Sequence, residues 1–107
     1  MKVGVDIASV HRFRRFKRDR THPFLKNFTE RELVYCFAFA DPATHLAGTF
    51  AAKEAVNKVF SGKFSLREIE IVRQKDGPPT VWRKKKKMRV SVSISHEGKL
   101  AIAAALR

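Results

Sequence analysis

Asp6, Glu54 and His96 are three polar residues set in apolar company. Asp6 closes the alternating run "KVGVD", Glu54 sits inside "FAAKEAVNKVF", and His96 ends "VSVSISH". At about 100° per residue, Leu46, Ala47, Phe50 and Ala51 surround the arc on which Glu54 points, with Lys58 one turn further along. The opposite arc (Ala52, Ala55, Val56, Val59, Phe60) is apolar too, so the helix reads as buried on both sides. An ionised carboxylate in such a place costs on the order of several kcal/mol unless it is compensated. Lys58 can compensate it in an i,i+4 ion pair, or a metal ion can. Two carboxylates from separate elements, Asp6 and Glu54, suit Mg²⁺, which takes one or two carboxylates and completes its octahedron with phosphate oxygens and water. Each residue also has a plainer role open to it. Asp6 can cap the segment that follows it, and His96, on the parity of Val90, Val92 and Ile94, can be a rim histidine of the core.

Other chemistries are excluded by what is missing. There is no C-x-x-C or H-x-x-x-H for zinc, no phosphate-binding P-loop and no G-x-S-x-G nucleophile turn. Cys36 is the only cysteine, so no intrachain disulfide forms and a reducing cytoplasm is expected. The opening residues read as a strand and not a signal sequence, since Asp6 interrupts the apolar run. No stretch approaches the roughly 20 apolar residues that span a bilayer.

Charge is the strongest compositional feature. Lys and Arg total 23 against 10 Asp and Glu, a net charge of +13. Two blocks dominate it, "HRFRRFKRDR" (11–20) and "RKKKKMR" (83–89). Such a surface favours an anionic partner: a nucleic acid, an anionic lipid, a polyphosphate cofactor or an acidic protein. It is equally compatible with a plain solvated basic face.

The elements that must position these residues follow from periodicity. At 107 residues and 44% hydrophobic content the chain suits one folded domain, residues 1–107. "KVGVD" predicts a strand with Val3, Val5 and Ile7 on one side and Lys2, Gly4 and Asp6 on the other. A helix is expected from Ile7 to about Arg18, ended by "THPF". Thr29 and Glu32 form a capping box that opens a second helix. Asp41-Pro42 starts a long third helix that closes near Gly62. Strands are expected from "REIEIVR", "TVW", "MRVSVSIS" and "LAIAAAL", the last buried on both faces. The order predicts an α+β domain with helices on one face of a mainly antiparallel sheet.

"GVDIASVHRF", "FTERELVYC", "LAGTFAAKEAVNKVF", "QKDGPPTV" and "VSVSISHEGKLAIAAAL" together resemble, in order and spacing, the holo-acyl-carrier-protein synthase type of 4′-phosphopantetheinyl transferase. The likeness covers nearly the whole chain. It implies the trimer-forming fold of that family and a Mg²⁺ enzyme that moves phosphopantetheine from coenzyme A to a serine of an acidic acyl carrier protein, releasing adenosine 3′,5′-bisphosphate. It also implies roles. Asp6 and Glu54 would hold Mg²⁺ with the pyrophosphate, making Asp6, Glu54 and Lys58 the catalytic set. Lys58 would meet the pyrophosphate, and Lys53 and His96 the phosphates of the adenosine end. Arg12, joined by Arg15 on the same basic segment, would meet the carrier protein. A homotrimer with sites between subunits is implied, so that Asp6/Glu54 and His96 come from different chains. Glu54, a water on the ion, or Glu97 beside His96 remain open as the base for the serine hydroxyl.

The sequence departs from the family pattern in three places. Thr49 stands where the family often has Arg, the usual F-G-T-G is "FSGK", and "RKKKK" spans a gap usually holding a helix. Coenzyme A contacts would then be rebuilt from Lys63 or the lysine run. The competing readings are a nucleic-acid-binding module, for which no aromatic strand motif is present, and a non-catalytic relative acting as an assembly subunit.

Overall fold

The computed structural model describes residues 1–107. Strand β1 (Val3–Ser9) leads into a 3₁₀ helix (Val10–Lys17), a second short 3₁₀ helix (Pro23–Asn27), and helices α1 (Glu30–Phe37) and α2 (Pro42–Val59). Strands β2 (Ile69–Val72), β3 (Thr80–Arg83), β4 (Lys86–Lys87), β5 (Ser91–Glu97) and β6 (Leu100–Leu106) follow. All pairings are antiparallel, but the strands form two sheets, β1-β6-β5 and β2-β3-β4. The α+β class with helices on one sheet face holds; the single sheet becomes two.

Two expected elements come out differently, for physical reasons. β1 runs to Ser9, because its register with β6 continues to the pair Ser9–Leu100. The segment after it is 3₁₀ and not α: Val10, Phe13 and Phe16 are its buried residues, a strict three-residue repeat that matches three residues per turn. The same repeat stacks Arg12, Arg15 and Arg18 on one ridge, and His11, Arg14 and Lys17 on another. The capping box of α1 is present in both directions. At α2 the expected proline is in place, but Asp41 makes no side-chain bond to the backbone and instead accepts from Thr44 Oγ1 at 3.4 Å. Gly62, at φ +69°, ends the helix by donating to Asn57 O at 2.8 Å. The run "RKKKK" is a tight hairpin turn between β3 and β4, with Lys84 and Lys85 at φ 51° and 65°. Both occupy the left-handed region that two-residue hairpin turns demand.

α2 crosses the face of the β1-β6-β5 sheet. Gly4 allows it: a Cβ there would lie 2.2 Å from Ala55 O, so only glycine lets β1 approach the helix backbone this closely. Ala8, Ala101, Ala103 and Ala105 are small and buried beneath the helix for the same reason. On its other side α2 meets an aromatic cluster in which the Phe50 ring lies 5.3 to 6.4 Å from those of Phe13, Phe24 and Phe28.

The outer sheet face corrects the reading of both edge and centre strands. It is the Gly4–Asp6–Ala8 side of β1 that packs on α2, while Val3, Val5 and Ile7 are 49 to 64% exposed. β6 is buried on one face only; Leu100, Ile102 and Leu106 look outwards beside the β1 residues. The chain therefore carries a contiguous uncovered apolar stripe across two paired strands.

Candidate active site

The close approach of β1 to α2 brings Asp6 beside the helix residues that were expected to share its chemistry. Lys58 donates from Nζ to Val5 O at 2.7 Å and to Asp6 Oδ1 at 3.2 Å. It makes no bond to Glu54, so the i,i+4 pair within α2 does not form. Glu54 is half-buried. Burial first, and then the nearby Asp6 charge, push its carboxyl above the ordinary carboxylate range, with Lys58 and Arg12 pulling the other way. Two carboxylates thus converge, and only Asp6 has a cation bonded to it. No cluster of three or more His, Cys, Asp and Glu side chains gathers anywhere in the chain. A pair of hard oxygen donors with no further protein ligand fits a Mg²⁺ that takes its remaining ligands from phosphate and water.

Arg12 was expected to face a carrier protein. Its guanidinium carbon lies 5.6, 5.1 and 5.3 Å from the rings of Phe13, Phe24 and Phe50, close enough for its charge to act on Glu54. It therefore borders the carboxylate pair. Arg15 stands on the same ridge further out, exposed, and lines a cleft of about 520 Å³ with Arg14, Lys17 and Arg18 at the start of α2. Arg14 is tied across that cleft to Asp41 at 3.3 Å.

His96 lies on the α2 side of β5, near its end, and is exposed. It lines a second cleft, of about 220 Å³, with His45 and Arg73. This cleft and the carboxylates sit on opposite flanks of α2. Gly48 and Ala55 face the sheet, against Ile94 and Gly4 respectively; at about 100° per residue Glu54 and Lys58 then turn to one side and His45 to the other. Glu97 belongs to the outer face, paired with Leu100, and points away from both.

Lys53 is a correction. Its side chain is fully buried and ion-paired with Glu32, so it cannot reach a phosphate in the solvent-facing site. Lys63 is exposed in the turn after α2, its ammonium 5.6 Å from the Phe64 ring, with no contact to Asp6 or Glu54. Thr49 is buried, its Oγ1 3.6 Å from Cys36 Sγ. His45 and Arg73 were missed in the sequence. His45 sits in an apolar helical context that offers no cue, and Arg73 reads as the polar end of a strand.

A small α+β chain with paired carboxylates on its first strand and its long helix has the site expected of a phosphopantetheinyl transferase. Residues 2–105 match the sequence model of the 4′-phosphopantetheinyl transferase superfamily, and the chain belongs to that family. Within it, the chain is 40% identical to a holo-[acyl-carrier-protein] synthase of Thermodesulfovibrio yellowstonii over 104 residues, covering 94% of this chain and 92% of that one. It is 38% identical to the enzyme of the same name from Chlorobaculum parvum, covering 99% and 97%. The fold superposes on Helicobacter pylori holo-[acyl-carrier-protein] synthase, solved in complex with coenzyme A, with TM-score 0.79, 28% identity and 98% of each chain covered. The Neisseria meningitidis synthase gives TM-score 0.78 at 28% identity, covering 96% and 94%.

Proposed function

We propose that this protein transfers 4′-phosphopantetheine from coenzyme A to a serine of an apo acyl carrier protein, releasing adenosine 3′,5′-bisphosphate. The observation that carries the reading is the Asp6–Glu54–Lys58 constellation at the β1–α2 contact, in a chain whose relatives bear that enzyme name. The serine oxygen attacks the phosphorus that bears the pantetheine arm. The bond from that phosphorus to the bridging oxygen breaks, and the nucleotide bisphosphate leaves with the electron pair. No covalent enzyme intermediate is needed, only in-line positioning and neutralisation of charge. Asp6 and Glu54 would hold Mg²⁺, which supplies the positive charge that the donor's pyrophosphate requires. Lys58 has three ammonium donors and spends two on Val5 and Asp6, leaving one for a phosphate oxygen. Of the groups that can take the serine proton, Glu54 is the best placed, since its raised affinity for a proton comes from burial beside Asp6. A turnover assay with coenzyme A, Mg²⁺ and a panel of apo carrier proteins tests the assignment. Formation of holo carrier protein together with the bisphosphate supports it, and absence of both products across the panel refutes it.

The two flanks of α2 bear on assembly. A donor that reached Asp6 and His96 of one chain would have to pass across the helix, whereas neighbouring chains can present the two flanks to each other. The apolar stripe of Val3, Val5, Ile7, Ile102 and Leu106 supplies a surface to bury. A homotrimer, the family expectation, should sediment at about three times 12.2 kDa; an active monomer at nanomolar concentration would dismiss the shared cleft. No helix is long and apolar enough to cross a membrane, and the buried free Cys36 suits the reducing cytoplasm expected from the sequence.

The carrier protein is acidic in this reading, and the exposed ridge of Arg15 and Arg18 is where it docks. Arg15→Glu combined with Arg18→Glu should raise the KM for the carrier protein by about tenfold or more, with little change in the KM for coenzyme A. High salt should shrink the difference, because screening weakens the same attraction in the wild type. Arg12 is left out of this test, since its place beside Glu54 would confound docking with chemistry.

A further inference from the structure

Arg73, just beyond the end of β2, carries a guanidinium with two buried nitrogens, Nε and Nη2, that have no hydrogen-bond partner. None of the four ion pairs in the chain involves it. An arginine stays charged at any physiological pH, and each buried donor left unsatisfied costs about 1–3 kcal/mol, more when charged. The fold nevertheless makes room for it. A Cβ on Gly48 would lie 2.9 Å from Arg73 Nη2, so glycine at that point of α2 opens the space the guanidinium fills. The Tyr35 ring covers it, 5.4 Å from the guanidinium carbon.

The unpartnered group borders the cleft of about 220 Å³ that also holds His45, His96, Thr44 and Gln74. Its surroundings are cationic. Burial, then the charge of Arg73, then His96 hold the His45 imidazole below its ordinary value, and Asp41 is the one acid that opposes them. The His45 ring is fixed in place by stacking on Phe39 at 3.6 Å between centroids. A fixed imidazole, a second histidine and a guanidinium fork without a counter-ion make a concave site that lacks only an anion. Its size suits a single phosphoryl group, and the guanidinium fork matches phosphate oxygens.

We propose that Arg73, with His45 and His96, binds the 3′-phosphate monoester at the adenosine end of the donor and so selects coenzyme A over the analogue lacking that phosphate. The inference rests on coenzyme A being the donor. It makes Arg73 a specificity-determining residue on the flank of α2 opposite the carboxylates, in a chain whose Thr49 is turned into the core.

The test has two arms. In the first, kcat/KM is measured for coenzyme A and for dephospho-coenzyme A with wild type, Arg73→Met and Arg73→Lys. Arg73→Met should cut the preference for coenzyme A by about 10- to 100-fold while leaving kcat/KM for dephospho-coenzyme A nearly unchanged. Arg73→Lys, which keeps the charge but loses the fork, should retain part of the preference. Equal losses for both donors, or an unchanged ratio, would overturn the proposal. The second arm needs no turnover. Adenosine 3′,5′-bisphosphate and adenosine 5′-monophosphate are titrated into the full chain by calorimetry, and the His45 ring protons are followed by NMR. The bisphosphate should bind the wild type at least tenfold more tightly than the monophosphate and should raise the His45 pKa against the pull of Arg73 and His96; Arg73→Met should lose both effects. Inorganic phosphate alone serves as the third probe, and a response equal to that of the bisphosphate would reduce the site to a generic anion pocket and refute the 3′-phosphate assignment. Binding with these properties in a chain that fails the turnover assay would sink the transferase reading and leave the subsite standing.

Discussion

Asp6→Asn and Glu54→Gln are each expected to lower phosphopantetheine transfer by roughly 10²- to 10³-fold or more, in a protein that remains folded. The magnitude follows from removing one of only two protein ligands for a cation that neutralises charge at the reacting phosphate, an effect at least as large as loss of one fixed hydrogen-bond donor. Folding should survive because neither carboxylate holds the core together. Asp6 contacts Lys58 at the half-exposed rim, and Glu54 has no hydrogen-bonded partner among the chain's side-chain bonds to hold. For Glu54 the stability effect has a definite sign. Its carboxyl binds a proton more tightly in the folded chain than at its ordinary value of 4.5, so its charge opposes folding. That penalty is present in full above the folded-state value and disappears as the pH falls below 4.5. Without metal, Glu54→Gln should therefore match or exceed wild-type thermal stability at neutral pH, and the gap should close in acid. Adding Mg²⁺ with coenzyme A should raise the melting temperature of wild type and not that of the variant. Wild-type turnover by either variant would remove Asp6 and Glu54 from the site.

The carboxylate pair was legible in the sequence because each member breaks an apolar pattern: Asp6 ends an alternating strand and Glu54 interrupts a buried helix. What a pattern cannot convey is which partner each side chain meets. Lys58 lies one turn from Glu54 along the helix, yet it bonds to Asp6, because Gly4 lets β1 come close enough for the lysine to reach the strand. The 3₁₀ segment was misread as α-helical although its three-residue repeat of Val10, Phe13 and Phe16 was visible, since steps of three also occur on α-helices. "LAIAAAL" reads as buried on both faces because both faces are apolar. One chain covers only the alanine face, and the other must await a second copy. The long-range electrostatics were the least accessible. Arg73 and His45 lie 28 positions apart, on different elements, and only the fold reveals that they share a cleft.

Lys53 shows the same limit most sharply, and it yields the second large effect. In sequence it is the lysine before Glu54 and invites a phosphate; in the fold its side chain and that of Glu32 are both fully buried and joined to each other. Glu32 was legible only as the N3 residue of a capping box. It fills that role, accepting from Thr29 N at 2.8 Å, but it also accepts from Lys53, and its second oxygen accepts from Ile71 N at 2.7 Å. One carboxylate thus joins α1, α2 and β2. Burial pushes Glu32 up and Lys53 down, and the attraction between them works against both shifts. Breaking such a pair from one side strands a charge, which costs about 3–5 kcal/mol, while replacing both members by apolar groups of similar size is close to neutral. Glu32→Gln should accordingly lower the unfolding free energy by about that amount, with Lys53 left unpaired beside the Phe28 ring. Lys53→Met should be similarly damaging, because the Glu32 carboxylate loses its cation. The double variant Glu32→Gln/Lys53→Met should recover much of the loss, and urea unfolding of the four proteins measures the coupling directly. Turnover separates this structural role from the phosphate contact implied by resemblance. If Lys53 is buried architecture, the folded fraction of the double variant keeps its KM for coenzyme A; a KM raised tenfold at full stability would return Lys53 to the phosphates.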